Sequence, residues 1–280
     1  FTEIGLATPA FSAVSSRAEL DTALQNVGTP AILKTRRLGY DGKGQFRLYS
    51  LADADRAWAA LSSQAGEYGL ILEAWVAFES ELSVLAVRGR DGEFRAWPLT
   101  RNWHTDGVLS ASLAPAPGLS VELAVAAVEH VRTLSERLEY AGVLALELFL
   151  YQGRLLGNEM APRVHNSGHW SIEGAHCSQF ENHLRAVLGL PLGDTRQSGQ
   201  ACMLNWIGSL PDRATFLRET DAHWHEYGKG PRVGRKLGHA TICAPDPSSL
   251  RVRLQRLGRE LDRGVQLAPV LAVLAQTEAC

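Results

Sequence analysis

The chain has 280 residues, of which 45% are hydrophobic and 21% are charged, and its formal net charge is −2. This length and composition are typical of a globular protein with one large or two modest domains and a sizeable core. The near-neutral charge argues against nucleic acid and an anionic membrane as partners, and no apolar run is long enough to span a bilayer. The four cysteines are scattered along the chain, which predicts reduced thiols in a cytoplasmic protein rather than disulfides or a zinc site.

The first predicted unit, residues 1–27, is a linker followed by an entry helix, because Ser16 and Glu19 form a capping box. The second unit, residues 28–75, is a small β-α-β lid. It contains a glycine-rich hairpin, a helix and a closing strand over 70–76.

The glycine-rich hairpin begins where an apolar strand ends at Lys34. Glycine lets backbone N–H groups turn toward an anion without a Cβ in the way, and lysines add positive charge. This pattern predicts a loop that closes over a polyphosphate such as a nucleoside triphosphate. Its residues are Gly39, Tyr40, Asp41, Gly42, Lys43, Gly44 and Gln45.

The third unit, residues 76–207, is the predicted body. It contains a long amphipathic helix from Leu119 to Leu138, with a predicted core face of Val121, Val125, Val128 and Leu134. The last unit, residues 208–280, is a C-terminal cap of strands and a helix.

Within the body, two apolar strands form a hairpin, and each strand carries one acid, Glu147 and Glu159. A carboxylate among apolar residues is costly unless it is paired or bound to a metal. Two such acids, with the amide oxygen of Asn158, suit Mg²⁺. The alternative interpretation is that both glutamates form structural ion pairs.

A dense group of donors follows Pro162, which prevents further strand pairing. Their mixture suits a phosphorylated substrate and an oxyanion, and the alternative is a polar loop that only caps the Ser178 region. The members of this loop are Arg163, His165, Asn166 and Ser167. Three further basic residues, Lys229, Arg235 and Lys236, lie among glycines and predict either a monophosphate grip or solvated surface charge.

Five segments together resemble the N5-carboxyaminoimidazole ribonucleotide synthetase family of the ATP-grasp superfamily. The matching segments are Gly39–Gln45, Pro98–His104, Asn158–His169, Ser178–Glu181 and Gly234–His239. The resemblance implies an α+β ATP-grasp fold with a small β-α-β lid, a larger antiparallel-sheet body and a small C-terminal cap that is barrel-like. Residues 1–11 resemble the linker that follows the family's N-terminal Rossmann-like domain, so that domain is expected to be absent from this chain.

The resemblance also implies a carbon–nitrogen ligase of purine biosynthesis, in which ATP and bicarbonate carboxylate 5-aminoimidazole ribonucleotide through carboxyphosphate. It implies ATP with one or two Mg²⁺ ions on Glu147 and Glu159, and a homodimer. Alternatives are another ATP-grasp carboxylase or ligase, such as a formate-using enzyme, and an inactive truncated binding module.

Roles for individual residues follow from the same resemblance. The catalytic residues are Lys34, Arg163 and His165, and the nucleotide-binding set adds Glu73, Ala74, Trp75, Val76, Glu81, His104, Asn158 and Glu159 to Lys34 and the glycine loop. The ribonucleotide is bound by Asp41, Lys43, Arg163, His165, Asn166, Ser167, Lys229, Arg235 and Lys236.

Overall fold

A computed structural model describes residues 1–37 and 44–277. The strands are β1 (Phe11–Val14), β2 (Ala31–Thr35), β3 (Gln45–Leu48), β4 (Leu70–Ala74), β5 (Ser80–Arg88), β6 (Phe94–Ala96), β7 (Thr100–Thr105), β8 (Val108–Ala114), β9 (Gly142–Tyr151), β10 (Arg154–Ala161), β11 (Gln200–Ile207), β12 (Ala222–Glu226) and β13 (Lys236–Ala244). The α-helices are α1 (Arg17–Val27), α2 (Ala54–Leu61), α3 (Val121–Arg137), α4 (Ser171–Gly174), α5 (Gln179–Leu188), α6 (Arg213–Phe216), α7 (Pro247–Glu260) and α8 (Gly264–Thr277). No helix in these two described ranges is long and apolar enough to cross a membrane.

The strands form two antiparallel sheets. The smaller sheet has the order β1-β4-β2-β3, and α1 and α2 pack on it around a core that includes Leu33 and Leu72. The prediction placed residues 1–27 outside the lid. The structure instead pairs Phe11–Val14 with β4 and buries Val14 and Leu20 in the same core. Strand β1 and helix α1 therefore share the core of the lid, which the prediction began only at residue 28. The division into 1–27, 28–75, 76–207 and 208–280 otherwise stays a prediction.

The larger sheet has nine strands in the order β10-β9-β5-β7-β8-β11-β13-β12, with β6 paired to β5. Its two end strands, β10 and β12, do not meet, so the described strands form an open sheet. The expected barrel-like cap is therefore wrong. The strands after residue 200 continue the body's sheet through the pairing of β11 with β8, and α7 and α8 pack on that extension.

Only half of the predicted core face of helix α3 is correct: Leu134 is buried and Val128 packs against the core, but Val121 and Val125 do not. Val121 and Val125 are 73% and 56% exposed, whereas Ala127 and Val131 are fully buried. At 3.6 residues per turn, Val121 and Val125 lie roughly 120° and 160° around the helix from Ala127. Leu134 was assigned correctly, since it follows Val131 by three residues and lies on the buried stripe.

The register places a row of polar side chains on one face of the larger sheet. Residues paired across antiparallel strands share a face, and so do residues two apart on one strand. Eight of the nine strands contribute to this row, which consists of Glu159, Glu147, Ser83, Glu81, Asn102, Ser112, Asn205, His239 and His225. Residues 163–169 fold back over this face.

Candidate active site

The two hairpin acids stand directly opposite each other. Glu147 on β9 pairs in register with Glu159 on β10, next to a bulge between Gly157 and Glu159 that accommodates Asn158 as the extra residue. Possible ligand atoms of Glu147, Glu159 and His165 all lie within 4.8 Å of one another. Glu147 is partly buried and Glu159 is exposed, so this cluster opens toward solvent on one side.

The electrostatics of this pair favour a bound cation. Burial, followed by repulsion from Glu159, raises the pKa of Glu147 to about 8. A carboxyl that keeps its proton near neutral pH beside another carboxylate lacks a counter-charge. Mg²⁺ with oxygen ligands fits this donor set, and Glu147 and Glu159 are the residues that would hold it.

Lys34 connects the lid to the body. Its Nζ lies 2.6 Å from Glu73 Oε2 on β4 and 3.3 Å from Asn158 Oδ1 at the β10 bulge. Residues that the sequence separates by up to 124 positions therefore meet beside the carboxylate pair. Lys34 is the cation best placed to contact an anion held between the two sheets.

A second charged pair lies beside Glu147. His104 Nδ1 on β7 contacts Glu81 Oε2 on β5. Burial lowers the pKa of His104, but the hydrogen bond to Glu81 and the negative charges of Glu81 and Glu147 outweigh it, so the net pKa is raised. The structure thus brings Glu81 and His104 to the carboxylate pair.

The end of β4 is fixed by backbone bonds within the lid. The N–H groups of Ala74 and Trp75 donate to the carbonyls of Ala10 and Pro30 at 2.8 and 3.0 Å. The Trp75 ring is 38% exposed, and the Arg47 guanidinium lies 4.9 Å from its centre. The predicted role of Glu73, Ala74, Trp75 and Val76 in nucleotide binding stays a prediction.

Only the end of the glycine-rich loop is described. Gly39, Tyr40, Asp41, Gly42 and Lys43 lie outside the described residues. Gly44 has a φ of +73°, and a Cβ there would lie 2.7 Å from Thr35 Oγ1, so the closing turn requires glycine. Gln45 continues into β3 and lines a small cleft between the lid and the turn at Asp106.

The loop after β10 is held by buried amides. Gln179 on α5 is fully buried; its Oε1 accepts from the His165 N–H at 2.8 Å, and its Nε2 donates to the His165 carbonyl at 2.7 Å. Asn166 exchanges two side-chain hydrogen bonds with buried Asn205 at 3.2 and 2.7 Å. Arg163 is exposed and donates to the carbonyl of Val164 at 3.0 Å.

Two of the three C-terminal basic residues, Lys236 and Lys229, interact with side chains around the loop after β10 or next to them. The charge of Lys236 lowers the pKa values of His165 and His169, although burial is the larger cause. Lys229 Nζ lies 5.2 Å from the centre of the Tyr227 ring, and the Tyr227 hydroxyl is 2.8 Å from His239 Nδ1. Arg235 donates to the Gly230 carbonyl within its own hairpin at 3.4 Å.

Several residues that support the site were missed in the sequence. Gln179, Asn205, Ser83 and Asn102 are buried side chains that bond to the loop or to each other. Ser83 stands alone between Leu82 and Val84, and that isolated hydroxyl in an apolar strand was the available signal. Its partners depend on strand order, which the local pattern does not contain.

We expect Gln179→Leu to lower the free energy of unfolding by about 1–3 kcal/mol, because it leaves the His165 N–H and carbonyl without their buried partners. Urea denaturation measures this loss. Gln64→Leu is the matched control, since Gln64 is exposed and bonds only to the carbonyl four residues before it. Equal stability of the two variants would contradict the clamping role of Gln179.

Stability should be greatest near pH 6.5. Burial lowers the pKa values of His165, His169 and His239 to about 3, 4 and 3, so below pH 6.5 these side chains bind protons in the unfolded state only. Stability then falls with decreasing pH, by on the order of 2 kcal/mol per pH unit after subtracting the opposite effect of Glu147. Above pH 6.5 the folded state retains protons on Glu147 and His104 that the unfolded state releases, so stability falls again.

Denaturant titrations between pH 4.5 and 8.5 test this profile. His239→Gln should reduce the acid slope, whereas the exposed control His223→Gln should leave it unchanged. A stability that rises steadily from pH 6.5 to 8 would contradict the assignment.

Two models of known protein families match the sequence of this chain. The model of the ATP-grasp domain matches residues 1–180, and that of the phosphoribosylaminoimidazole carboxylase C-terminal domain matches residues 201–253. The N5-carboxyaminoimidazole ribonucleotide synthase of Pseudomonas aeruginosa is 50% identical over 254 residues, which cover 91% of this chain and 69% of that protein. The Escherichia coli synthase of the same name is 39% identical over 258 residues, covering 92% of this chain and 70% of that protein.

Solved structures agree with the sequence relatives. The N5-carboxyaminoimidazole ribonucleotide synthetase from Thermus thermophilus has a TM-score of 0.84 and 50% identity, covering 92% of this chain and 69% of that one. The synthase from Aspergillus clavatus in complex with ADP and 5-aminoimidazole ribonucleotide has a TM-score of 0.83 and 31% identity, covering 94% and 70%. The chain thus spans about two thirds of the length of these relatives. The family match over both parts of the chain and the 50% identity confirm the expected ATP-grasp fold, and the chain belongs to the N5-carboxyaminoimidazole ribonucleotide synthase family.

Proposed function

We propose that this chain carries out the ATP-dependent carboxylation of 5-aminoimidazole ribonucleotide by bicarbonate, which gives N5-carboxyaminoimidazole ribonucleotide in purine biosynthesis. One observation carries the proposal: Lys34, Glu73 and Asn158 meet at the junction of the two sheets, beside the Glu147–Glu159 pair and the loop that begins at Arg163. This places groups suited to a nucleoside triphosphate next to groups suited to an anionic acceptor.

The phosphate side of the site consists of the lid and the carboxylate pair. Lys34 contacts the transferred phosphate, and the glycine-rich loop from Gly39 to Gln45 covers the triphosphate. Mg²⁺ held by Glu147 and Glu159 neutralises charge on the phosphates when it is bound. A bicarbonate oxygen forms a bond to the γ-phosphorus, the bond from that phosphorus to the ADP oxygen breaks, and the product is carboxyphosphate.

The acceptor side consists of the loop after β10 and the C-terminal cations. Carboxyphosphate breaks down to CO₂ and phosphate near Arg163, His165 and Asn166. The exocyclic amine of the ribonucleotide, oriented by Asp41, attacks the carbon of CO₂ and loses one proton to the released phosphate. The ribonucleotide's phosphate group is bound by the basic residues Lys43, Lys229, Arg235 and Lys236.

Enclosure is the remaining requirement, because carboxyphosphate is labile in water. The lid contacts the body through the hydrogen bond from Lys34 to Asn158, beside the carboxylate pair. Ser167 contributes to substrate binding through His165, since its hydroxyl lies 2.9 Å from His165 Nδ1.

The choice of acid distinguishes this function from its nearest alternative. The natural polypeptide that carries these residues should hydrolyse ATP with bicarbonate and 5-aminoimidazole ribonucleotide, and the carboxylated product should be detected by trapping ¹³C from labelled bicarbonate. Formate in place of bicarbonate should support no turnover. Turnover with formate alone would favour the formate-using alternative, and Mg·ATP binding without hydrolysis in either mixture would favour a binding module.

Three further parts of the proposal rest on the family. They are the requirement for one or two Mg²⁺ ions, a homodimeric assembly and a cytoplasmic location. Sedimentation of the purified protein tests the assembly, and titration of Mg²⁺ at fixed ATP tests the metal requirement.

A further inference from the structure

A chain of buried hydroxyl and amide groups leads to His165 from beneath its loop. Ser112 Oγ lies 2.8 Å from Asn102 Oδ1, and Asn102 Nδ2 lies 3.0 Å from Ser83 Oγ. Ser83 Oγ lies 2.8 Å from Ser167 Oγ, which lies 2.9 Å from His165 Nδ1. The three serines are completely buried, and Asn102 is 4% exposed.

The orientation of the Asn102 amide, with Oδ1 toward Ser112 and Nδ2 toward Ser83, sets the order of donors and acceptors in this row of side chains. Each hydroxyl has one proton to donate, and an amide donates only from its nitrogen. Ser112 donates to Asn102, Asn102 donates to Ser83, and Ser83 donates to Ser167. The proton of Ser167 is thereby left for His165 Nδ1.

A second donor points at the same nitrogen. The backbone N–H of Ser167 is directed at His165 Nδ1, with 3.4 Å between the two nitrogens. A backbone N–H can donate but cannot accept, so this contact does not depend on how any hydroxyl is turned. Both contacts require an unprotonated Nδ1, and a neutral imidazole then carries its proton on Nε2.

The other ring nitrogen faces the carboxylate pair. His165 Nε2 lies 3.5 Å from Glu147 Oε1. A protonated Nε2 presents hydrogen to a carboxyl oxygen that keeps a lone pair to accept it in either protonation state of Glu147. The acid above the loop is therefore compatible with the tautomer that the two contacts beneath the loop favour.

We propose that Ser112, Asn102, Ser83 and Ser167 form a positioning chain that holds His165 as the Nε2–H tautomer. His165 then acts as a hydrogen-bond donor toward an oxyanion beside Glu147, and it is neither a metal ligand nor a general base through Nε2. The identity of that oxyanion as bicarbonate or carboxyphosphate rests on the proposed function; the tautomer does not.

Direct observation of the tautomer is the first test. Two-bond ¹H–¹⁵N correlation spectra of the protein labelled with ¹⁵N-histidine, at pH 7.5 and without nucleotide, should show the ring of His165 in the Nε2–H form. His165→Gln identifies the signals by their disappearance. A spectrum of the Nδ1–H form would overturn the proposal, whatever the enzyme's activity, and an inactive enzyme with an Nε2–H ring would count against the proposed function alone.

The second test reverses the direction of hydrogen-bond donation along the row Ser112, Asn102, Ser83 and Ser167. In Asn102→Asp, the donating amide becomes an oxygen that accepts from Ser83. Ser83 then turns its proton away from Ser167 and Ser167 turns its own toward Ser83, which leaves the Ser167 backbone N–H as the remaining donor to Nδ1 and weakens the preference for Nε2–H. At pH 9 we expect an Nδ1–H population that the wild-type ring lacks, and a kcat reduced with the lost Nε2–H population, up to the ~10²-fold typical of one oxyanion donor, with the KM for ATP nearly unchanged.

The matched control for this variant is Ser135→Ala. Ser135 is also buried, but its hydroxyl bonds to the Arg132 carbonyl within α3, away from the chain. It should leave both the tautomer and kcat unchanged. The same tautomer population and the same kcat as the wild-type protein in Asn102→Asp would overturn the proposal, and if that variant does not fold, the wild-type spectrum decides alone.

Discussion

Glu159→Gln should lower Mg²⁺-dependent ATP turnover by at least ~10²-fold, the scale of losing one electrostatic stabiliser of the transition state. Glu159 faces Glu147 across β9 and β10, and both carboxylates lie within reach of one cation. The amide keeps the shape of the side chain and removes its charge, so the loss reports on metal binding and not on packing. Steady-state ATP hydrolysis as a function of Mg²⁺ concentration measures it.

The melting temperature of Glu159→Gln distinguishes a metal site on Glu147 and Glu159 from the alternative that both form structural ion pairs. Burial and repulsion raise the pKa of Glu147, which means that its ionised form is unfavourable in the folded protein. Removing the neighbouring charge should therefore leave the melting temperature equal or higher without metal. A structural ion pair would instead make Glu159→Gln less stable.

Two comparisons complete that experiment. Glu136→Gln, on the exposed part of α3, is the control and should leave both turnover and stability unchanged. Wild-type turnover in Glu159→Gln would show that the pair does not bind the catalytic metal.

The facing of Glu147 and Glu159 could be predicted from the sequence because it is local. Two apolar strands joined by a turn at Gln152 and Gly153 can pair in only a few registers, and the acids fall near each other in each of them. The meeting of Lys34 with Asn158 is not local, since 124 residues separate them. It was expected only through the resemblance to a family with a known lid and body.

The support beneath the loop could not be predicted because it depends on strand order. Ser83, Asn102 and Ser112 come together only because β5, β7 and β8 are neighbours in register. The same reason explains the wrong barrel-like cap, since the pairing of β11 with β8 joins residues 201 and 114 across the intervening hairpin and helices. Local periodicity gives the face of a strand and not its neighbour, so these contacts require the structure.

Arg163→Ala is expected to abolish the carboxylated product while the affinity for ATP stays within a few-fold. The Arg163 side chain is exposed and bonds to the Val164 carbonyl, whereas the phosphate side of the site is held by Lys34 with Glu73 and Asn158. Its removal therefore takes away a cation on the acceptor side and leaves the lid junction intact. As an exposed substitution, it should change the free energy of unfolding by no more than about 0.5 kcal/mol.

Two further variants help to interpret the loss of carboxylated product in Arg163→Ala. Arg163→Lys keeps the charge but not the planar fork, so it should recover part of the product if two parallel hydrogen bonds to an oxyanion are needed. Arg154→Ala, an exposed arginine on β10, is the control and should leave product formation unchanged. Measurement pairs ¹³C product formation with ATP binding by calorimetry. If ATP affinity fell in parallel with product, Arg163 would belong to the phosphate side, and the proposed separation of the two sides of the site would be wrong.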